Sequence, residues 1–198
     1  YSRFAAGAPL PPARGETHPQ PGKPNAYSWL KAPRYKGLPM EVGPLARVLV
    51  DYHSPGGGAV KDDVDAVLKT LVLPIGKLNS VLGRILCRAI ELRIILRQTF
   101  KWLEQVEINA DPIQEFKIAK EGSGYGLTEA ARGALGHWLS IENYKIKNYQ
   151  CVVPTTWNCS PRDDRGQAGP VEKALEGVLV ADAAQPMEAA RVVRSCDP

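Results

Sequence analysis

Arg132 stands in the run Glu129-Ala130-Ala131-Arg132-Gly133-Ala134-Leu135, where small residues on both sides let the backbone pack tightly and present a guanidinium. A fixed, permanently protonated donor of this kind suits an anionic or polarised ligand. A salt bridge to Glu129 or Asp111 accounts for it equally well at this level. Val153-Pro154-Thr155-Thr156 offers one rigid turn with hydroxyl donors, usually only turn chemistry. Gly122-x-Gly124-x-Gly126 lacks the spacing, the preceding strand and the lysine of a phosphate cradle, and reads as backbone free to approach something closely. His18, His53 and His137 lie far apart without metal-type spacing. Cys87, Cys151, Cys159 and Cys196 form no Cys-x-x-Cys pair and no evident disulfide framework, and no hydrolase triad is supported.

The elements that must hold these residues are of different kinds. Residues 1–26 carry six prolines and no hydrophobic period, so they run as an extended lead-in. From Tyr27, Pro33, Pro39 and Pro44 exclude a long helix, while Trp29, Leu30, Met40, Val42 and Leu45 give apolar weight to an irregular segment. After Gly56-Gly57-Gly58, the spacing of Val64, Val67, Leu68 and Leu71 predicts a helix from about Lys61 to Leu73, ended by Pro74. The proline-free run from Ile75 predicts a second helix reaching about Val106, roughly 45 Å long. Its arginines Arg84, Arg88, Arg93 and Arg97, with Lys101, fall on i, i+4 rows. With no aromatic interleaving, they read as a solvated or subunit-facing stripe rather than a nucleic-acid face. After Pro112, β-prone runs predict a hairpin from about Leu135 to Val152 with Glu142-Asn143 at its turn. A loop follows, then two short helices, Val171 to Leu175 and Pro186 to Arg194. The fold class is α+β, mainly α: a long-helix bundle with small β-hairpin portions.

The chain has 198 residues, 44% hydrophobic and 23% charged, enough for an ordinary core, which excludes disorder throughout. Apolar stretches break well short of the eighteen or so residues that span a bilayer, and a net charge of +4 is no polycation. The start shows no signal-peptide pattern, and four isolated cysteines leave the redox compartment open.

Four segments in order, YSWLKAPRYKGLPMEVGPLARV, GLTEAARGALGHW, YQCVVPTTWNCSPRD with GQAGPVEKALEG, and VRSCDP, together resemble the C-terminal part of the large subunit of nickel-iron hydrogenases. The resemblance spans Tyr27 to Pro198. It implies that 1–198 is one portion of a single large-subunit domain, with 61–106 helical, 122–160 hairpin and active-site loops, and 170–198 C-terminal helices. The implied activity is H2 ⇌ 2 H+ + 2 e− at a nickel-iron centre bearing carbon monoxide and cyanide. A magnesium or iron ion near the C-terminus and iron-sulfur clusters in a small subunit are also implied. The family holds its metals with two Cys-x-x-Cys pairs, and this chain contains neither.

By the same resemblance, Arg132 matches the arginine over the metal edge, and Asp197 the acid that pairs with arginine beside it. Ala131 stands where most relatives have Pro, which implies a looser turn. Val153 and Pro154 match the apolar wall around the diatomic ligands, and Thr155 the hydroxyl donor to a cyanide. The backbone carbonyl of Cys151 matches the ligand of the remote ion, its thiol idle; Cys159 and Cys196 are structural. The residue after Pro198 is then expected to be cysteine or, in the nickel-iron-selenium subset, selenocysteine, with Ala131 and Cys159 compatible with that subset. Expected partners are the remainder of the large subunit, the iron-sulfur small subunit and H2, with no nucleic acid and membrane association only through partners. The expected compartment is periplasmic, or membrane-associated on that side, with cytoplasmic as the alternative. The competing function is a non-catalytic relative in a complex I-like respiratory assembly.

Overall fold

A computed structural model describes residues 2–5, 10–109, 111, 113 and 115–197; Pro112 and Pro198, named above, lie outside the described residues. Six α-helices are described: α1 (Pro44–Tyr52), α2 (Lys61–Leu71), α3 (Val81–Glu104), α4 (Pro154–Asn158), α5 (Pro170–Leu175) and α6 (Met187–Ser195). The strands β1 (Gly122–Ala130), β2 (Gly133–Glu142) and β3 (Lys145–Val152) form an antiparallel sheet in the order β1-β2-β3. The α+β class holds, but the sheet is larger than a hairpin, and among the described residues one long helix stands in place of a bundle.

The departures have local causes. Pro44 bars a helix running through it, yet it starts α1, because its fixed φ and missing N–H suit a first helical position. The segment expected to be irregular therefore contributes a helix. Helix α2 stops at Leu71 because Val72 turns left-handed (φ 52°), and the N–H of Leu73 bonds back to the Leu68 carbonyl at 3.0 Å. The long run divides at Ile75–Leu78, a 3-10 turn. The hydroxyl of Ser80 then caps α3 by accepting from the Gly83 N–H at 3.1 Å. A Cβ at Gly83 would lie 2.0 Å from the Leu78 carbonyl oxygen, so the turn folds onto the helix start only with glycine there. The 24 residues of α3 span about 36 Å, shorter than the 45 Å expected.

Gly122, Gly124 and Gly126 belong to strand β1, and a Cβ at Gly124 or Gly126 meets nothing within 4 Å. Close approach is therefore not their role among the described residues. The β2-β3 turn passes through Asn143 and Tyr144, both left-handed at φ 50° and 62°. Pro154–Asn158, expected as loop, is helical, again with a proline at its first position.

Leu45 and Val48 of α1, Val64 and Leu68 of α2, Leu78, and Cys87 and Ile90 of α3 close one apolar core. Burial pushes the Cys87 thiol up to about 11, with Glu91 and Glu41 adding to the effect. The opposite side of α3 is uncovered: Leu82, Ile85, Leu92, Leu96, Phe100 and Leu103 are each half or more exposed. The arginine row is occupied within the fold. Arg84 pairs with Glu41, Arg88 donates to the Ser195 carbonyl, and Arg93 and Arg97 both reach Asp63.

The start of α1 also meets the β1-β2 turn. Gly43 (φ 121°) and Gly133 (φ 132°) approach so closely that a Cβ on Gly133 would sit 2.6 Å from the Gly43 nitrogen. Both sit in backbone conformations that L side chains rarely adopt. Gly133→Ala is expected to destabilise the complete subunit by more than about 1 kcal/mol, read from denaturant midpoints. An unchanged midpoint would show that the two backbones separate without cost. In the same native protein, only about one Cys87 in a thousand is thiolate at pH 8, so alkylation there should be negligible until the subunit unfolds.

Candidate functional site

Ala131 and Arg132 form the two-residue connection between β1 and β2, since Ala130 pairs with Gly133. The left-handed demand of the turn falls on Gly133. Strand β3 runs antiparallel to β2 and ends with Val152 opposite Gly136. Three residues of strand separate Gly136 from Gly133, about 10 Å. Val153, Pro154 and Thr155 therefore leave the sheet at the end that carries the Arg132 turn.

Helix α6 brings the third component. Its last residues are held by α3: Arg88 Nη2 donates to the Ser195 carbonyl at 3.2 Å, and Arg84 reaches the Ser195 hydroxyl at 3.5 Å. Arg84 also forks onto both carboxylate oxygens of Glu41, each at 2.7 Å. Asp197 follows with a left-handed backbone (φ 51°), a conformation that a short polar side chain tolerates, and its N–H bonds to the Arg194 carbonyl at 3.0 Å. Its carboxylate then lies 3.3 Å from Arg132 Nε, with the two side chains 45% and 54% exposed.

Of the two readings open for Arg132, the salt-bridge reading named the wrong partners. Glu129 pairs with Arg47 at 2.8 Å, and Arg132 pairs with Asp197. An ion pair this exposed adds at most about 1 kcal/mol to stability, so it does not explain a guanidinium held at a glycine-locked turn. The cation faces outward at the sheet end, where Val153 is 37% exposed and Pro154 is buried. The Thr155 hydroxyl donates to no group among the described residues.

Cys151 lies in β3 opposite His137, with its thiol 4.0 Å from His137 Nε2. His137 Nδ1 meets the Tyr149 hydroxyl. Among the described residues, no three or more His, Cys, Asp or Glu gather to hold a metal ion. Burial raises the Cys159 thiol, and raises that of Cys196 against the opposing pull of Arg84. Both are packed groups.

Composition and spacing did not single out Arg47, Gly43, Glu91 or Asn158. The side chain of Asn158 accepts from the Val42 N–H and donates to the Val42 carbonyl, both at 2.9 Å, tying α4 to the strap before α1. The Gly43-Pro44 pair was the available signal, since glycine before a helix-opening proline marks a special backbone.

Comparison with known proteins gives this geometry a context. The family model described as nickel-dependent hydrogenase matches residues 1–198. The chain is 46% identical over 187 residues to the periplasmic NiFeSe hydrogenase large subunit of Desulfomicrobium baculatum, covering 93% of this chain and 36% of that one. It is 46% identical over 182 residues to the hydrogenase-1 large chain of Escherichia coli K12, covering 87% and 30%. The structure of the reduced Ni-Fe-Se hydrogenase from D. vulgaris Hildenborough superposes with a TM-score of 0.86 at 38% identity, covering all of this chain and 42% of that one. The chain thus spans about a third of the length of these curated relatives. With the family model matched over residues 1–198, the chain belongs to the nickel-dependent hydrogenase family.

Proposed function

We propose that this chain forms one wall of a hydrogenase catalytic centre and takes part in H2 ⇌ 2 H+ + 2 e−. The observation that carries this reading is the Arg132–Asp197 pair, brought from two distant elements to the sheet end where Val153, Pro154 and Thr155 emerge. The residues fit a nickel-iron centre with carbon monoxide and cyanide ligands. An outward cation, an apolar wall and an uncommitted hydroxyl are the groups such a centre needs from protein that does not ligate the metals. Its metal-ligating cysteines lie outside this chain.

When bound, that centre supplies the redox and Lewis-acid chemistry. The chain's residues supply the surroundings. Arg132 would present its guanidinium to such a centre, and preorganised charge of this kind lowers a barrier without reorganising. Asp197 orients that guanidinium. Val153 and Pro154 exclude water from the diatomic ligands. Thr155 Oγ1 would serve as the hydroxyl donor that holds a cyanide, a group costly to bury unpaired. Ala131 leaves the turn without a ring to fix its φ. The Cys151 carbonyl contributes one hard ligand to a magnesium or iron ion, with the other ligands supplied from elsewhere.

The remainder of the large subunit covers the open apolar side of α3, a continuous patch of the kind that marks an interface. A small subunit with iron-sulfur clusters takes the electrons. The D. baculatum relative is named periplasmic and a Wolinella succinogenes relative quinone-reactive, which supports a periplasmic or membrane-associated site reached through partners. No described helix is long and apolar enough to cross a membrane.

Arg132→Lys in the assembled enzyme is expected to retain nickel and the infrared bands of cyanide and carbon monoxide while H2 oxidation falls by about 100-fold or more. Near-normal turnover would reject the role of Arg132, and absence of nickel from the wild-type complex would reject the catalytic reading. The likeness to NiFeSe enzymes extends the proposal to a selenium ligand at nickel. Selenium K-edge absorption with a nickel neighbour is expected, and a sulfur-only shell overturns it.

A further inference from the structure

Arg47 lies one helical turn after Gly43 on α1, and all five of its guanidinium N–H groups find partners. Nε and Nη2 fork onto the two carboxylate oxygens of Glu91 on α3, each at 2.7 Å. Nη1 donates to Glu129 at 2.8 Å and to the Ala130 carbonyl at 3.0 Å, and Nη2 to the Ala131 carbonyl at 3.1 Å. Burial opposes the charge, but the two carboxylates, Glu91 foremost, outweigh it and raise the Arg47 pKa. The cation is therefore anchored on α3 and its free edge is aimed at two successive backbone carbonyls.

Those carbonyls belong to the two residues just before Arg132. The Ala131 carbonyl shares a peptide plane with the Arg132 nitrogen, so fixing it fixes the plane that enters the Arg132 Cα. The plane that leaves it passes close to Gly43, where a Cβ would stand 2.9 Å from the Arg132 carbonyl oxygen, so glycine is what admits it. Both planes are thus referenced to the first turn of α1. With Ala131, no ring locks the turn covalently, and the constraint must come from contacts. A tilt of about 10° at Cα, over a side chain about 6 Å long, moves the guanidinium about 1 Å, a displacement that costs on the order of a hundredfold in rate.

We propose that Arg47, held by Glu91, is the positioning residue for Arg132, setting the direction from which its guanidinium meets the reacting centre. The proposal rests on the reading of Arg132 given above, and its test separates the two. In the complete nickel-loaded complex, Arg47→Lys keeps a charge for Glu91 but cannot span both carbonyls. Turnover is expected to fall by about 10- to 100-fold. The cyanide bands should shift with the same sign in Arg47→Lys as in Arg132→Lys, and amide exchange in the 130–134 peptide should accelerate, with the global unfolding midpoint little changed. The double variant with Arg132→Lys should be no slower than Arg132→Lys alone, as residues acting through one group are not additive. Wild-type turnover, bands and exchange in Arg47→Lys, beside a slow Arg132→Lys, overturn the positioning role alone. Fast turnover in Arg132→Lys overturns the underlying reading, and Arg47 then has no cation to position. Should Arg47→Lys fail to load nickel, Glu91→Gln leaves the carbonyl bonds in place but loosens their anchor. The same shifts at smaller size are expected of it, and none at all overturns the proposal.

Discussion

Gly43 and Gly133 bring two backbones together with no room for a side chain between them, and the arrangement around Arg132 depends on that contact. The contact matters because of what converges on the residues beside Gly43. Glu41 takes the fork of Arg84 from α3, Val42 is bracketed by Asn158 from α4, and Gly43 opens α1. One extended strap of three residues therefore registers a long helix, a short helix and a sheet turn against each other. A Cβ at either glycine would push the turn away from the strap and from the two helices that the strap holds.

The strap is held by polar contacts rather than by apolar packing. Arg84 is 7% exposed and pairs in a planar fork, which is the geometry in which a buried ion pair recovers its desolvation. Arg34 does similar work at the loop after α4. It donates to Asp163 at 2.7 Å and to carbonyls of Pro161 and Gln167, while Asp163 accepts from the N–H groups of Arg165 and Gln167. Burial alone would raise the Asp163 carboxyl, but these donors outweigh it and hold it below the usual carboxylate range. A carboxyl depressed in this way contributes stability above its unfolded pKa, and that contribution fades as pH falls through the folded value. Irregular segments rich in Pro and Gly can be specific when their carbonyls are met by arginines whose donors have fixed directions.

How much of this was legible in the sequence follows from range. Helix α2, the start of the C-terminal helices and the β2-β3 pair were readable, because their signals lie within a few residues of one another. The Ser80 cap and the Gly83 contact that divide the long helical run were missed, since a 3-10 turn leaves no hydrophobic period. Helices α1 and α4 were hidden by prolines that start helices as readily as they stop them. The site residues Arg132, Asp197 and Thr155 came from resemblance, and only the small residues around Arg132 gave it independent weight. Arg47 gave no signal at all. It matters through carbonyls 83 and 84 positions away, a separation that no local pattern encodes.

The two members of the exposed pair are each located by the same face of α3. Arg84 and Arg88 fix the end of α6, from which Asp197 projects, while Glu91 anchors the arginine that grips the Arg132 turn. Residues 84, 88 and 91 follow helical spacing on one side, and the rise from 84 to 91 is about 10 Å. A helix is stiff over two turns, so the separation of the two anchor points is nearly constant even though the pair itself stands half in solvent. The side chains of Arg132 and Asp197 contribute little stability to the fold, and the backbone positions from which they reach each other are set apart from their own contact. Those positions are inherited from helix α3, which lets the pair itself remain half open to solvent.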